Sequence, residues 1–333
     1  GGYSPDTPAA IVYKATWPEE KTVRTTVAEL AEAAEREHIT KTALIVVGNT
    51  VAQNGYDRSK LYDPGFTTEF RMAESSHSGK IVSAVPEIAA SGKLYVVGMG
   101  PGSLDGMTKE AFKAIGDCQV IAGYTVYADL VKPYFPDKEY LTTPMTKEEA
   151  RCRMAFECCM EGKDTAMICS GDSGVYGMAG LVLQMAEAYP DVNVEVIPGV
   201  TAALAGGAIL GAPLGHDFAV ISLSDLLTPM EVIEKRLRAA AEADFIICLY
   251  NPSSRKRHDY LERACRILLE YKSGETACGY VQNIGREGEA VHLLTLAELE
   301  KTPVDMFTTV FIGNKETQML NGCLVTPRGY RDV

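Results

Sequence analysis

From residue 93 onward, short runs of β-branched and other apolar residues alternate with longer stretches in which apolar positions recur every three to four residues. The first pattern is typical of strands buried on both faces, and the second of helices that pack against a sheet. Their alternation predicts an α/β fold with a largely parallel sheet. The predicted strands are Leu94–Val97, Val120–Ala122, Thr165–Cys169, Val192–Ile197, Phe218–Ser222, Phe245–Tyr250, Thr276–Val281, Val291–Thr295 and Thr309–Ile312.

Helices are predicted between these strands, where apolar residues recur at helical spacing. Gly211-Ala-Pro213 follows one of them, and its glycine and proline mark a boundary between two lobes, because both residues interrupt regular structure. The predicted helices are Lys109–Ile115, Lys147–Met160, Val175–Ala188, Thr201–Leu210, Pro229–Ala241 and Asp259–Tyr271.

The start of the chain repeats part of the second lobe. Thr7–Leu30 aligns without gaps with Thr276–Leu299, and both segments end in the pattern Thr-x-Ala-Glu-Leu. Further along, Val47-Gly-Asn49 corresponds to Ile312-Gly-Asn314. We therefore predict a truncated C-terminal part of a second domain at 1–75, a linker at 76–92, and two lobes at 93–210 and 211–333.

Composition and charge exclude several classes of protein. With 46% hydrophobic and 23% charged residues, the chain is typical of a globular protein. Its apolar runs are far shorter than the roughly 20 residues that span a bilayer, so we predict no membrane association. The net charge of −12 disfavours binding to nucleic acid, and a polyanionic ligand would need a local basic patch.

Nine cysteines are scattered through apolar segments, which is typical of a protein from the reducing cytoplasm. Cys152, Cys158 and Cys159 cluster but lack the CxxC spacing of a zinc site, so we predict a helical core face and no metal. The chain begins with Gly1-Gly2 and shows no secretory signal, and we interpret it as a piece of a longer protein.

A glycine-rich loop, Gly98–Gly102, follows the first predicted strand of the main domain, at the sheet edge where ligands of α/β folds bind. It differs from a dinucleotide-binding loop, because Ser103 replaces the third glycine and Pro101 lacks an N–H. Taken alone, the loop is equally explained as a tight turn.

Two further loops follow strands of the same lobe. Ser170–Gly174 could hold a polar ligand group on its amides, but Val175 replaces the last glycine of the G-x-S-x-G motif of hydrolases. Asp172 within it is also explained as a helix N-cap. Ile197–Ala202 forms the third loop.

A basic run follows a strand of the second lobe. Tyr250-Asn251 ends this strand, and Arg255, Lys256 and Arg257 come shortly after it. Such a run is usually a solvated turn, but here it is the densest positive patch on an acidic chain. It could therefore contact a carboxylate-rich ligand.

Together and in this order, these loops resemble those of the tetrapyrrole methylase family. The resemblance covers residues 93 to about 330. It implies the tetrapyrrole methylase fold, two α/β lobes with the active-site cleft between them, here preceded by a partial copy of the second lobe. The resemblance further implies that S-adenosylmethionine (SAM) binds in this cleft.

Within the family, the finer resemblance is to precorrin-3B methyltransferases, which act at carbon 17 with ring contraction in cobalamin biosynthesis. Residues 1–75 instead resemble the C-terminal part of precorrin-4 methyltransferases, which act at carbon 11. That part lacks a glycine-proline loop, so we expect it to be inactive. The segments that carry the carbon-17 resemblance are 123–127, 171–180, 211–225, 283–288 and 326–330.

The resemblance also assigns residues to the methyl donor. Most of these residues would act through main-chain groups, which accounts for the glycine, proline and alanine among them. The residues implied to bind SAM are Gly100, Pro101, Gly171, Asp172, Thr201, Ala202, Tyr250, Asn251, Gly279 and Tyr280.

Ring contraction requires a proton-exchanging partner for an oxygen on the ring, and His216 is the first candidate. The secondary candidates are Asp172, Tyr124 and Tyr127. A structural, hydrogen-bonded histidine is the alternative interpretation of His216. The substrate's acetate and propionate arms require cations, either Arg255–Arg257 or the set Lys147, Arg151 and Arg153. The residues expected to contact substrate are Tyr124, Tyr127, Ser173, Arg255, Lys256 and Arg257.

Other functions stay open at this point. The chain could be another family member, acting on uroporphyrinogen, precorrin-4 or diphthine, or a scaffold whose N-terminal half-domain mediates association. The expected ligand is a polycarboxylate tetrapyrrole, with or without cobalt, and the expected partners are a second copy in a homodimer and other enzymes of the corrin pathway. A cytoplasmic location is expected.

Overall fold

The computed structural model of the chain describes residues 3–48, 51, 91–254 and 258–330. It divides into two compact units, residues 1–79 and residues 80–333. Of the predicted linker 76–92, all but the last two residues lie outside the described residues. Among the residues it does describe, none of the helices combines the length and apolarity needed to cross a bilayer.

The first lobe of the larger unit contains a five-stranded parallel sheet in the order β6-β5-β7-β4-β8. Because all strands are parallel, their carboxyl ends lie at one edge, where loops can converge. The strands are β4 (Leu94–Gly98), β5 (Val120–Tyr124), β6 (Glu139–Thr143), β7 (Thr165–Cys169) and β8 (Val194–Ile197).

Helices cover both faces of this sheet, as the alternation of side chains along a strand requires. Leu94 and Val96 of β4 face a cluster that contains side chains of α4 and α5, whereas Val97 faces a cluster formed with α2. The helices of this lobe are α2 (Lys109–Asp117), α3 (Thr125–Val131), α4 (Glu148–Met160) and α5 (Ala179–Met185).

The predicted core face of cysteines is present on α4. Cys152 and Cys159 are fully buried against the sheet. Burial raises the pKa of the Cys152 thiol to about 12 and that of Cys159 to about 11. Both thiols therefore stay protonated at neutral pH and pack as small apolar groups.

The sequence pattern missed α3 and β6 and placed the start of α5 too early. Strand β6 lies at the edge of the sheet and is half exposed, so it shows no apolar run. The predicted helix at 175–188 begins only at Ala179, because Tyr176 has a φ of +54°, in the left-handed region that a helix cannot accommodate.

The second lobe contains a five-stranded sheet in the order β10-β11-β14-β12-β13. Only β10 and β11 are parallel; the other pairs are antiparallel, so the prediction of a largely parallel sheet is wrong for this lobe. β12 and β13 form a hairpin, and the connection from β13 to β14 passes over β12, so both neighbours of β12 run antiparallel to it. The strands are β10 (Phe218–Ser222), β11 (Ile246–Tyr250), β12 (Ala277–Gln282), β13 (Ala290–Thr295) and β14 (Thr308–Ile312).

This sheet is also covered on both faces. One face packs against α6, and the other packs against α7, α8 and α9. Since α6 packs on the second sheet, the predicted boundary between the lobes at residue 210 is too late by the length of this helix. A small sheet of β9, β16 and β15, missed by the sequence pattern, closes the lobe. These elements are α6 (Ala202–Leu210), α7 (Met230–Glu242), α8 (Tyr260–Leu269), α9 (Leu296–Leu299), β9 (Gly211–Ala212), β15 (Gln318–Leu320) and β16 (Cys323–Val325).

The smaller unit contains β1 (Pro8–Tyr13), β2 (Lys21–Thr26), α1 (Leu30–Arg36) and β3 (Ala43–Val47), in the strand order β2-β1-β3. Its registers repeat those of the second lobe. Ile11 pairs with Val23 and Ile45, as the aligned Tyr280 pairs with His292 and Val310. The internal repeat found in the sequence is therefore also a repeat of strand pairing.

The two copies differ in what covers the third strand. In the second lobe, β14 is buried along its whole length and pairs with β11 at its other edge. In the smaller unit, β3 is an edge strand, and Leu44 and Ile45 are 62% and 57% exposed. The described copy lacks counterparts of β10, β11, α7 and α8.

Gly199→Ala should destabilise the larger unit by about 3 kcal/mol, because the added methyl group would lie 2.2 Å from the carbonyl oxygen of Gly171, a backbone atom that cannot move aside easily. Urea denaturation measures the change. Gly180→Ala is the control, since a methyl group there meets no atom within 4 Å and should stabilise α5 by about 0.5–1 kcal/mol. Equal stability of the two variants would contradict this account.

Candidate functional site

The three glycine-containing loops of the first lobe meet at the carboxyl edge of its sheet. Gly100 and Gly171 exchange two backbone hydrogen bonds, of 3.0 and 2.7 Å, which join the loops after β4 and β7. The third loop packs equally closely, because a methyl group at Gly98 would lie 2.6 Å from the nitrogen of Gly199. The loops therefore contact one another through main-chain atoms.

The side chain of Asp172 connects the second loop to the third. Its Oδ1 accepts hydrogen bonds from the amides of Gly174 (2.8 Å) and Val175 (3.0 Å), and its Oδ2 accepts one from Gly199 (3.0 Å). It caps a turn and not a helix, because α5 begins at Ala179. With both oxygens engaged by amides, the geometry favours a positioning role over proton transfer.

Ser173, expected to contact substrate, is turned inward. Its side chain is buried, and its hydroxyl donates to the carbonyl of Ile197 at 2.9 Å. The prediction of substrate contact is therefore not supported, because this hydroxyl already connects the second and third loops.

Tyr250, at the end of β11 in the second lobe, connects to Thr201 in the third loop of the first lobe. Its hydroxyl lies 2.5 Å from Thr201 Oγ1 and accepts a hydrogen bond from the Ala203 amide at 2.6 Å. The Thr201 side chain does not cap α6. The Tyr250 hydroxyl, at the end of β11, therefore bonds to an amide that the first turn of the helix leaves unpaired. Burial raises the pKa of Tyr250, which keeps the hydroxyl neutral.

Tyr176 makes a second connection between the lobes. Its hydroxyl donates to the Val220 carbonyl at 3.0 Å and accepts from the Ser222 amide at 3.1 Å. Both groups belong to β10, an edge strand, so the phenol takes the place of a neighbouring strand. Next to it, Asn251 has a φ of +53° and donates to Ser222 Oγ at 2.9 Å.

A cleft with about 830 Å³ of empty space, including its open mouth, lies between the two lobes. Its wall brings together seven of the predicted site residues. They are Pro101, Tyr127, Gly171, Thr201, Ala202, Tyr250 and Asn251. The predicted position of the cleft between the lobes agrees with this geometry.

Other predicted residues lie beside this wall or away from it. Gly100 and Asp172 are neighbours of lining residues, and the ring of Tyr124 packs edge-on against Tyr127 at 5.2 Å. Gly279 and Tyr280 lie in the middle of β12, where Tyr280 stacks on His292 at 4.5 Å.

His216 is not among the lining residues. It is exposed, and its Nε2 lies 2.9 Å from the carbonyl oxygen of Pro327, which fits the interpretation as a structural histidine. Arg255, Lys256 and Arg257 lie outside the described residues. In the alternative basic set, Arg153 pairs with Glu149 at 2.9 Å, whereas Arg151 is buried.

Sequence reasoning missed Arg286, the charged residue among the described residues that line the cleft. It follows β12 in the segment Asn283–Gly288, which carried the family resemblance without an assigned role. An arginine in a glycine-containing loop after a strand was the available signal. The other lining residues that were missed are Ser170, Val175, Tyr176, Asn283, Ile284, Met306, Phe307, Thr308 and Thr309.

The sequence of the larger unit is similar to those of known proteins. Residues 93–300 match the tetrapyrrole (corrin/porphyrin) methylases. The chain is 49% identical over 238 residues to a probable cobalt-factor III C(17)-methyltransferase of Salmonella typhimurium, covering 71% of this chain and 99% of that protein. It is 39% identical over 249 residues to a precorrin-3B C(17)-methyltransferase of Sinorhizobium sp, covering 72% and 98%.

Some relatives are longer proteins. The chain matches 54% of the length of the cobalamin biosynthesis protein CbiHC of Archaeoglobus fulgidus, at 43% identity and over 73% of its own length. Among solved structures, the methyltransferase CobJ is similar with a TM-score of 0.66 and 35% identity, covering 71% of this chain and all of that chain. Cobalt precorrin-4 methyltransferase CbiF shares the fold, with a TM-score of 0.56 and 24% identity over 69% and 98%.

Tyr250→Phe should lower the free energy of unfolding by about 1–3 kcal/mol, because it leaves the buried Ala203 amide without its acceptor. Urea denaturation of the purified protein provides the measurement. Tyr134→Phe is the matched control, since that side chain is 46% exposed and its hydroxyl can bond to water. A loss of the same size in both variants would show that the Tyr250 hydroxyl does not stabilise α6.

Proposed function

The chain belongs to the tetrapyrrole methylase family, as its sequence predicts, and we propose that its larger unit methylates carbon 17 of cobalt-factor III or precorrin-3B. The names of relatives at 49% and 39% identity, each matched over nearly its whole length, support this assignment. The observation that carries it is the cleft, whose wall contains the family's loops in one continuous surface.

SAM fits the chemistry of this wall. The first-lobe side is built from main-chain atoms around Pro101 and Gly171, which can approach a ligand closely. Neutral hydroxyls of Thr201 and Tyr250 stand nearby, and Ile284 and Phe307 supply apolar surface for an adenine ring or a thioether. These residues would hold the donor, whose sulfonium supplies an electrophilic methyl group.

The protein's own contribution is positioning. Methyl transfer is an in-line displacement, so most of its acceleration can come from holding a ring carbon at near-attack distance. The hydrogen bonds between Gly100 and Gly171 and the three accepted by Asp172 make the donor side of the cleft rigid. A rigid wall limits the conformational freedom that binding would otherwise have to remove.

Ring contraction needs a partner for an oxygen on the substrate, and Tyr127 is placed for this better than His216. Its side chain lines the cleft, and no hydrogen bond to its hydroxyl is present among the described residues. Burial raises the pKa of Tyr127, so the hydroxyl stays protonated and can donate at neutral pH. Homodimer formation, a cytoplasmic location and an association role for residues 1–75 stay predictions.

Incubation with methyl-labelled SAM and either cobalt-factor III or precorrin-3B should give a product that carries one labelled methyl group on one of the two rings. Mass spectrometry of the extracted tetrapyrroles detects it and shows which substrate is used. Uroporphyrinogen III and cobalt-precorrin-4 serve as controls for the other family activities. Transfer of the labelled methyl group to one of these controls, and to neither carbon-17 substrate, would mean that the chain has a different activity of this family.

Tyr127→Phe should lower turnover by about 100-fold while leaving the affinity for S-adenosylhomocysteine unchanged, because it removes one hydrogen-bond donor from the reacting region. His216→Gln should leave turnover nearly unchanged, since His216 lies outside the lining and bonds to the Pro327 carbonyl. Steady-state kinetics of both variants separates the two candidates. A large loss of turnover in His216→Gln, without such a loss in Tyr127→Phe, would show that the histidine and not the tyrosine takes part in the reaction.

A further inference from the structure

The side chain of Arg286 crosses the cleft from the second lobe to the first. Its Nε donates to the carbonyl of Pro101 at 3.2 Å, and its Nη2 donates to Ser170 Oγ at 2.9 Å. Gly102 leaves room for it, because a methyl group there would lie 2.6 Å from Arg286 Cγ. The guanidinium is thus held at the point where the loops after β4 and β7 meet.

The positive charge of Arg286 has no described counter-ion. Both of its hydrogen-bond partners are neutral, and among the described residues no carboxylate oxygen lies within 4.0 Å of it. A guanidinium has five N–H donors, and the described contacts use only two of them. Burial lowers the pKa of Arg286, which expresses the cost of keeping this charge partly out of water.

Aromatic rings fix the direction of the guanidinium. Its central carbon lies 5.7 Å from the ring centroid of Tyr127 and 5.7 Å from that of Phe307, and both rings line the cleft. Such cation–π contacts stabilise the charge without using its N–H donors. The unused donors therefore stay available to a ligand in the cleft.

A second buried guanidinium strengthens the positive potential in this region. Arg151 on α4 is only 4% exposed, its Nε has no hydrogen-bond partner, and its nearest described carboxylate, Glu148, is 3.9 Å from Nη2. The charges of Arg286 and Arg151 both act to lower the pKa of Tyr127, against the larger effect of burial. The nearby negative charge of Asp172 is directed at three backbone amides.

We propose that Arg286 binds a carboxylate group of a ligand in the cleft, through the N–H donors that its contacts with Pro101 and Ser170 leave unused. The planar fork of a guanidinium matches a carboxylate and can bind it through two parallel hydrogen bonds. The identity of the ligand rests on the proposed function. The carboxylate belongs either to the acetate and propionate arms of the tetrapyrrole or to the amino-acid end of the methyl donor.

The test compares ligands that differ in their carboxylates, using the full chain. Isothermal titration with S-adenosylhomocysteine and with 5′-methylthioadenosine, which has the nucleoside and thioether but no carboxylate, reports on the donor. Fluorescence titration with uroporphyrin III, whose acetate and propionate arms match those of a precorrin, reports on the ring. Each ligand is titrated into the unaltered protein, Arg286→Gln and Arg286→Lys.

Arg286→Gln should weaken binding of one carboxylate ligand by about 10- to 100-fold and leave 5′-methylthioadenosine unaffected. If only S-adenosylhomocysteine binds more weakly, Arg286 contacts the carboxylate of the methyl donor. If only uroporphyrin binds more weakly, Arg286 contacts a carboxylate of the tetrapyrrole. Arg286→Lys should weaken binding less, because lysine keeps the positive charge but lacks the planar guanidinium that can make two parallel hydrogen bonds. It also carries the test if Arg286→Gln does not fold. Arg263→Gln, an exposed arginine on α8 of the second lobe, is the control for net charge.

Two outcomes would overturn the proposal. Equal weakening of all three ligands would mean that Arg286 only holds the lobes together, and unchanged binding of all three would mean that it contacts none of them. Because these titrations require no turnover, they are independent of the methyl-transfer assay. A chain that methylates neither carbon-17 substrate but shows the selective loss keeps the carboxylate site and loses the proposed function.

Discussion

The close packing of main chain on main chain at the carboxyl edge of the first sheet is the constraint on which the site depends. Gly98, Gly171 and Gly199 approach one another so closely that a methyl group on Gly98 or Gly199 would overlap backbone atoms. This packing brings three separate loops into one wall, and Asp172 joins the second loop to the third by accepting a hydrogen bond from Gly199. A methyl donor would meet a surface of peptide groups whose positions are already set.

Side chains that reach from one lobe to the other then form the cleft. Tyr176 bonds to the edge of β10, Tyr250 bonds to Thr201 of the third loop, and Arg286 contacts the loops after β4 and β7. Tyr176 stays 55% exposed, and the partly buried Tyr250 hydroxyl has its hydrogen bonds met, so neither side chain leaves a buried polar group unpaired. Arg286 differs, because its charge is met only by neutral groups and aromatic faces. Arg286 lines the cleft and brings a positive charge to it, on a chain whose net charge is −12.

The sheet of the smaller unit keeps the strand pairing of the second lobe, although its described residues include no counterparts of β10, β11, α7 and α8. β1, β2 and β3 keep the register of β12, β13 and β14, because the same alternation of side chains and the same connections specify it in both copies. The exposure of Leu44 and Ile45 follows from the absence, among the described residues, of the strand and helices that cover β14. The described part of this unit also has no counterpart of the three loops, and its inactivity stays a prediction.

The sequence by itself determined the fold of the first lobe, the internal repeat, the order of the three loops and the family, since these depend on local periodicity and on residues close together in the chain. It missed β6, whose half-exposed edge position gives no apolar run, and the antiparallel pairing of the second sheet. Only the tertiary structure decided that Ser173 points inward, that His216 lies outside the cleft and that Arg286 crosses it. Residues that lie 116 positions apart, such as Ser170 and Arg286, meet through the packing of whole lobes, which no local pattern encodes.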